Sequence, residues 1–74
     1  MTRLRPVPGR KLVAVLERRG FRVVRVRGSH HVLQHPDGRR TVVPVHGSKD
    51  VKKGTLRAIL SDCDLEWEEL EGML

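Results

Sequence analysis

A chain of 74 residues with one cysteine, Cys63, has no means of stapling itself with an internal disulfide. Domains this short bury only about 60% of the surface their unfolded chains expose, so the fold must be held by one small apolar core. The sequence therefore predicts a single domain over residues 1–74. Hydrophobic residues at 38% and charged residues at 32% match a globular chain rather than a disordered one. The longest apolar stretch, Leu12 to Leu16, is far short of the ~20 residues a membrane span needs, and no charged-then-apolar leader opens the sequence. Together with the lone cysteine, this predicts a cytoplasmic protein with no membrane partner.

The order of the elements follows from where glycine and proline interrupt the apolar pattern. Leu12, Val13, Val15 and Leu16 recur at helical spacing, Pro8 opens that stretch and Gly20 closes it, predicting a helix over about Pro8 to Arg19. Phe21 to Arg27 nearly alternates apolar residues with arginines, as a half-buried strand does. Gly28 and Ser29 break it, and His30 to His35 resumes an extended run. Pro36-Asp37-Gly38 is a turn, and Arg40 to Val45 is a third strand whose Pro44 belongs at an edge or strand end. From about Val51, Leu56, Ile59, Leu60 and Cys63 return to helical spacing. Asp64 is expected to cap a short last turn carrying Leu65, Trp67 and Leu70. The expected class is α+β, α-β-β-β-α, with both helices on one face of a three-stranded antiparallel sheet and the other face open.

Charge is divided unevenly along this order. All fifteen Lys and Arg lie in residues 1–57 against Glu17, Asp37 and Asp50, a balance of +12, whereas residues 58–74 carry six acids and no base, a balance of −6. A basic body points to a polyanionic partner, because binding phosphates releases their counterions. The acidic tail, about residues 62–74, is expected to be a solvated face.

Few residues can carry chemistry. Cys63 falls on the apolar stripe of the second helix and reads as core. The four histidines, His30, His31, His35 and His46, do not have the spacing of a metal site: His31 and His35 on one strand would stand about 13 Å apart. His30 is singled out by position, following Gly28-Ser29 at a strand start, where glycine lets a nucleic-acid backbone approach and Ser29 offers a hydroxyl and an N–H. Imidazole, with an ordinary pKa of about 6.5, takes up a proton at neutral pH. The competing reading of His30 is a strand histidine satisfied by a backbone carbonyl. His46 depends on hairpin register. If residue 35 pairs with 40, His46 shares a face with Ser29 and His31; if 35 pairs with 39, it shares one with Gly28 and His30. Arg39, Arg40, Lys49, Lys52, Lys53 and the start of the second helix are the candidate phosphate contacts by position.

Several motifs occur in order: Gly28-Ser29-His30-His31, His35-Pro36-Asp37-Gly38-Arg39-Arg40, Val43-Pro44-Val45-His46, and Lys53-Gly54-Thr55-Leu56-Arg57-Ala58-Ile59-Leu60. With the helix ending Leu16-Glu17-Arg18-Arg19-Gly20-Phe21, the chain resembles the HicA family of type II toxins over about Gly9 to Leu70. The resemblance implies a double-stranded-RNA-binding-domain-like fold and a metal-independent mRNA-cutting activity needing no cofactor. It further implies that His30 is the catalytic general base and that a HicB-type antitoxin is the partner. Cys63-Asp64 departs from the family, many of whose members end this helix with Ala-Gly, and Pro8 stands where many carry a Ser or Thr cap. The alternatives are a non-catalytic RNA-binding module of the same fold and a small DNA-binding protein. Base stacking is disfavoured by there being only two aromatics, Phe21 and Trp67, and a helix-turn-helix by the three strands between the main helices.

Overall fold

The computed structural model describes residues 3–74. In chain order it contains α1 (Gly9–Arg18), β1 (Arg22–Arg27), β2 (His30–Gln34), β3 (Arg40–Pro44), α2 (Lys53–Asp62) and α3 (Trp67–Glu71). This is the α+β order read from the sequence, with an antiparallel sheet in the order β1-β2-β3. None of the described helices is long and apolar enough to cross a membrane.

The first helix ends as its sequence dictates. Gly20 takes φ +96°, and the Phe21 and Gly20 N–H groups donate back to the carbonyls of Leu16 and Glu17 at 3.0 and 3.1 Å. This paired closure satisfies carbonyls that the helix leaves open. A side chain at Gly20 would also collide with the His35 ring, whose Nε2 lies 2.8 Å from where a Cβ would be. The start of α1 differs slightly from expectation. Pro8 is the capping residue rather than the first helical one, its carbonyl accepting from Lys11 and Leu12 N–H.

The second helix closes in the same manner, and here the structure corrects the sequence reading. Asp64 does not cap the next helix; it takes the left-handed position at the end of α2, with φ +52°. Its N–H donates to the Ser61 carbonyl, and that of Leu65 to the Leu60 carbonyl. The α3 cap is Glu66, in a reciprocal box with Glu69. The reason lies in spacing, since two residues of loop must separate the turn from the helix for Leu65 and Trp67 to reach the core. Asp tolerates this backbone less well than glycine. We therefore expect Asp64→Gly to raise stability by about 0.5–1 kcal/mol, and to remove a carboxylate from a helix C-terminus where it is unfavourable. Thermal denaturation checks this, and an unchanged or lower midpoint would contradict it.

The buried strand residues Leu33, Thr41 and Val43 lie on one sheet face, against Leu12, Val15 and Leu16 of α1 and Leu56, Ile59 and Leu60 of α2. The Thr41 hydroxyl donates to Asp62 Oδ2 at 2.9 Å, tying β3 to the end of α2. Cys63 is fully buried, and burial pushes its thiol up to about 11, as a core residue rather than a nucleophile requires.

The lead-in from residue 4 and the acidic tail are more structured than their composition suggests. Leu4 and Val7 are buried, and the Val7 carbonyl accepts from Val51 N–H at 2.8 Å beside a bridge between Pro8 and Asp50. The lead-in therefore braces the segment before α2. In the acidic tail, Leu65, Trp67 and Leu70 join the core. Of its acids, Glu69 pairs with Arg19 at 2.9 Å and Glu71 with Arg5 at 3.1 Å. The Glu66 N–H and then the Arg19 guanidinium hold the Glu69 carboxyl below the usual glutamate range.

Candidate functional site

The sheet register decides which residues meet on the open face. His35 N–H donates to the Arg39 carbonyl at 2.8 Å, and β2 pairs with β3 as His30 with Pro44, Val32 with Val42 and Gln34 with Arg40. On the other side, His30 pairs with Arg27, Val32 with Arg25 and Gln34 with Arg22. Strict alternation from Arg22 to Arg27 would have put Arg22 on the face opposite Arg25 and Arg27. A bulge between Val23 and Arg25 adds one residue to β1 and resets the phase, so that all three arginines share the open face.

His30 stands at the first residue of β2, exposed, between Arg27 and Pro44. It reaches that position because Gly28 turns the chain at φ +56°, and because the Ser29 carbonyl accepts from Val45 N–H at 2.7 Å, pinning the turn to the end of β3. His30 opens onto a cleft of about 520 Å³. The sheet contributes Val42 and Pro44 to it, the segment before α2 contributes His46, Lys49, Asp50, Val51 and Lys52, and Thr55 comes from the first turn of α2. His46 thus shares the cleft with His30, in the register that pairs residues 35 and 39.

The four histidines divide into two kinds. His31 is half-buried, with Nδ1 3.4 Å from the Ser29 carbonyl oxygen. His35 packs edge-on against Phe21, with ring centroids 5.1 Å apart, and its Nδ1 meets Asp37 Oδ1 at 3.0 Å. Both are held by the fold. The side chains of His30 and His46 form no hydrogen bond or ion pair with a described residue, and both residues line the cleft. No group of three described His, Cys, Asp or Glu side chains comes together as a metal site would require.

The cations divide similarly. Arg39 lies at the far end of the hairpin, its guanidinium 5.1 Å from the Phe21 ring centroid, bonded to the Cys63 carbonyl and to Asp37 Oδ2. Those contacts are structural. The Arg39 N–H and guanidinium hold the Asp37 carboxyl below the usual aspartate range. Arg40 is exposed on the open face, but four residues along the sheet from the His30 row, about 13 Å away. Lys49 and Lys52 line the cleft; Lys53 is the first residue of α2 and is not among the lining residues. The first turn of α2 has no side-chain cap, so its N–H groups are open to an anion.

Two residues next to those that line the cleft carry no signal in the sequence that singles them out. Arg27, the cation paired beside His30, was hidden in the alternation of β1. Gly9 is buried where α1 crosses the end of β3, and a Cβ there would fall against the Pro44 carbonyl oxygen. The one signal for it was a glycine directly after the helix-opening proline.

A family model described as the HicA toxin of bacterial toxin-antitoxin systems matches residues 9–65, which span every element from α1 through α2. No curated protein matches the chain.

Proposed function

The chain belongs to the HicA toxin family and is therefore a toxin of a toxin–antitoxin system, with an antitoxin as its partner; on that premise we propose that it is a metal-independent endoribonuclease that cleaves mRNA with His30 as general base. The observation that carries this reading is the division of the histidines. Two serve the fold, while His30 and His46 line one cleft with no partner among the described residues for their ring nitrogens.

RNA supplies its own nucleophile, a 2′-hydroxyl beside each phosphodiester, and an intramolecular attack needs no second reactant to be captured. His30 takes the 2′-hydroxyl proton, the oxygen attacks the adjacent phosphorus, and the bond to the 5′-oxygen breaks as a cyclic phosphate forms. The leaving oxygen needs a proton, and His46, which lines the same cleft, is its donor on this reading. Lys49, Lys52, Lys53 and the first-turn N–H groups of α2 stabilise the charge that builds on the phosphate oxygens. Arg40 and Gly28 serve the approach of the strand rather than the reaction, and Ser29 sets the position of His30 through its carbonyl. The antitoxin, on this reading a HicB-type protein, silences the toxin by covering the basic surface around His30.

We expect the purified protein to cut RNA in excess EDTA, giving cyclic-phosphate and 5′-hydroxyl ends, and to leave an all-deoxy strand of the same sequence intact. Loss of cutting on chelation, or efficient cutting of the deoxy strand, would count against the 2′-hydroxyl mechanism. RNA binding without cutting would instead leave a binding module.

A further inference from the structure

The β1 bulge gives the open face a regular arrangement. Three rows cross the sheet: Arg27–His30–Pro44, then Arg25–Val32–Val42, then Arg22–Gln34–Arg40. Successive rows are about 6.7 Å apart, two residues along a strand. The outer position of every row on β1 is an arginine, and no position of the face is acidic.

Four arginines elsewhere in the chain are engaged by the fold. Arg5, Arg18, Arg19 and Arg39 tie elements together through Glu71, the Met73 carbonyl, Glu69 and Asp37. Arg22, Arg25 and Arg27 are exposed, and their side chains make no hydrogen bond or ion pair with a described residue. Three like charges along one strand repel one another in the free protein, so their alignment is a cost to folding that a polyanion would relieve.

We propose that this arginine row is a backbone track for single-stranded RNA, leading the strand from Arg22 through Arg25 and Arg27 to the His30 cleft. The proposal rests on the nuclease reading only for the destination of the track. Three observations select this occupant. A rung every two residues along a strand suits the repeat of an extended phosphodiester chain better than the scattered carboxylates of a folded acidic protein. The row is continuous with the cleft, because Arg27 is the β-pair neighbour of His30. Both aromatic residues, Phe21 and Trp67, are buried, so bases find no stacking platform and the strand is held by its phosphates, with Val32 and Val42 offering an apolar floor. Such a track binds without strong sequence preference and extends the footprint of the toxin beyond the scissile phosphate.

The test uses the full chain with His30→Ala, so that RNA is bound and not consumed, and an RNA of about 12 nucleotides, within the site sizes of single-strand binders. Affinity is measured across a salt series for that protein and for the same protein carrying Arg22→Gln and Arg25→Gln. A control carries Arg10→Gln and Lys11→Gln on α1, the same loss of charge on the opposite side of the fold. The track predicts that the sheet pair weakens binding on the order of tenfold and lowers the salt slope by about 1.4, some 0.7 for each phosphate of a single strand that is no longer neutralised. The control pair should do much less. Equal effects of the two pairs would reduce the row to diffuse charge and overturn the proposal. So would unchanged RNA binding with weakened antitoxin binding, which would make the face a protein interface. Arginine-dependent binding by a wild-type protein that cuts no RNA would remove the nuclease reading and leave the track standing.

Discussion

His30→Ala is expected to abolish growth inhibition and to lower RNA cleavage about 10²–10⁴-fold, the range for removing a general base, while the protein folds as before. The second half of that expectation comes from the structure. His30 is exposed and its side chain bonds no described residue, so its truncation leaves no buried group unsatisfied and no cavity. Exposed substitutions of this kind change stability by less than about 0.5 kcal/mol. His35→Ala provides the contrast. It removes a ring that packs against Phe21 and over Gly20, and should lower the thermal midpoint while sparing the chemistry of whatever fraction stays folded. His46→Ala should fall between, slowing cleavage less than His30→Ala because water can protonate the leaving oxygen. Circular dichroism and cleavage rates on the three purified variants separate these outcomes. A folded His30→Ala protein that cuts RNA at the wild-type rate would remove His30 from the mechanism.

Most of the architecture was legible because its boundaries are set by glycines with defined backbone roles. Gly20, Gly28 and Gly38 each adopt positive φ where the sequence reading placed a stop or a turn. The apolar spacing of Leu12, Leu16, Leu56 and Ile59 likewise gave the helices and the face they bury. What escaped the reading depended on contacts between distant segments. The bulge in β1 was invisible because Val23 and Val24 fit either phase of the alternation; the phase is chosen by Leu33 and Val32 across the strand pair. The hairpin register stayed open for the same reason, and with it the place of His46. The role of Asp64 is not legible in the sequence, because a left-handed Asp and a capping Asp look alike until the cap of the next helix, Glu66, is known. In the site, His30 and the lysines of the segment before α2 stood out by position, whereas Arg39 was drawn into the structure by Phe21, Asp37 and the Cys63 carbonyl. Arg39 and Arg40 are adjacent in sequence, and only the strand pleat, which alternates their faces, tells the structural one from the exposed one.

Gly9→Ala is expected to be among the most damaging single-methyl changes available in the chain. Taken alone, the substitution favours α1, since alanine is a better helix former than glycine by about 1 kcal/mol. The packing opposes it. An added Cβ would run into the Pro44 carbonyl oxygen and lie 3.2 Å from the Val45 Cα, and both are backbone atoms that no rotamer change can withdraw. Either α1 lifts from the end of β3 or β3 shifts, and overpacking of this sort costs typically ~1–3 kcal/mol, more where backbone must move. A domain of this length has on the order of 5 kcal/mol to lose. The displaced segment also matters for the site, because Pro44 lines the cleft and Val45 is bonded to the Ser29 carbonyl that sets His30 in place. Gly9→Ala should therefore lower both the thermal midpoint and the cleavage rate of the protein that remains folded. Gly54→Ala is the matched comparison: it also falls in the first turn of a helix, with no atom within 4 Å of its added Cβ, and should be neutral or stabilising by up to about 1 kcal/mol. Paired thermal denaturation of the two variants decides the matter, and a Gly9→Ala protein as stable as Gly54→Ala would show that α1 does not brace the end of β3.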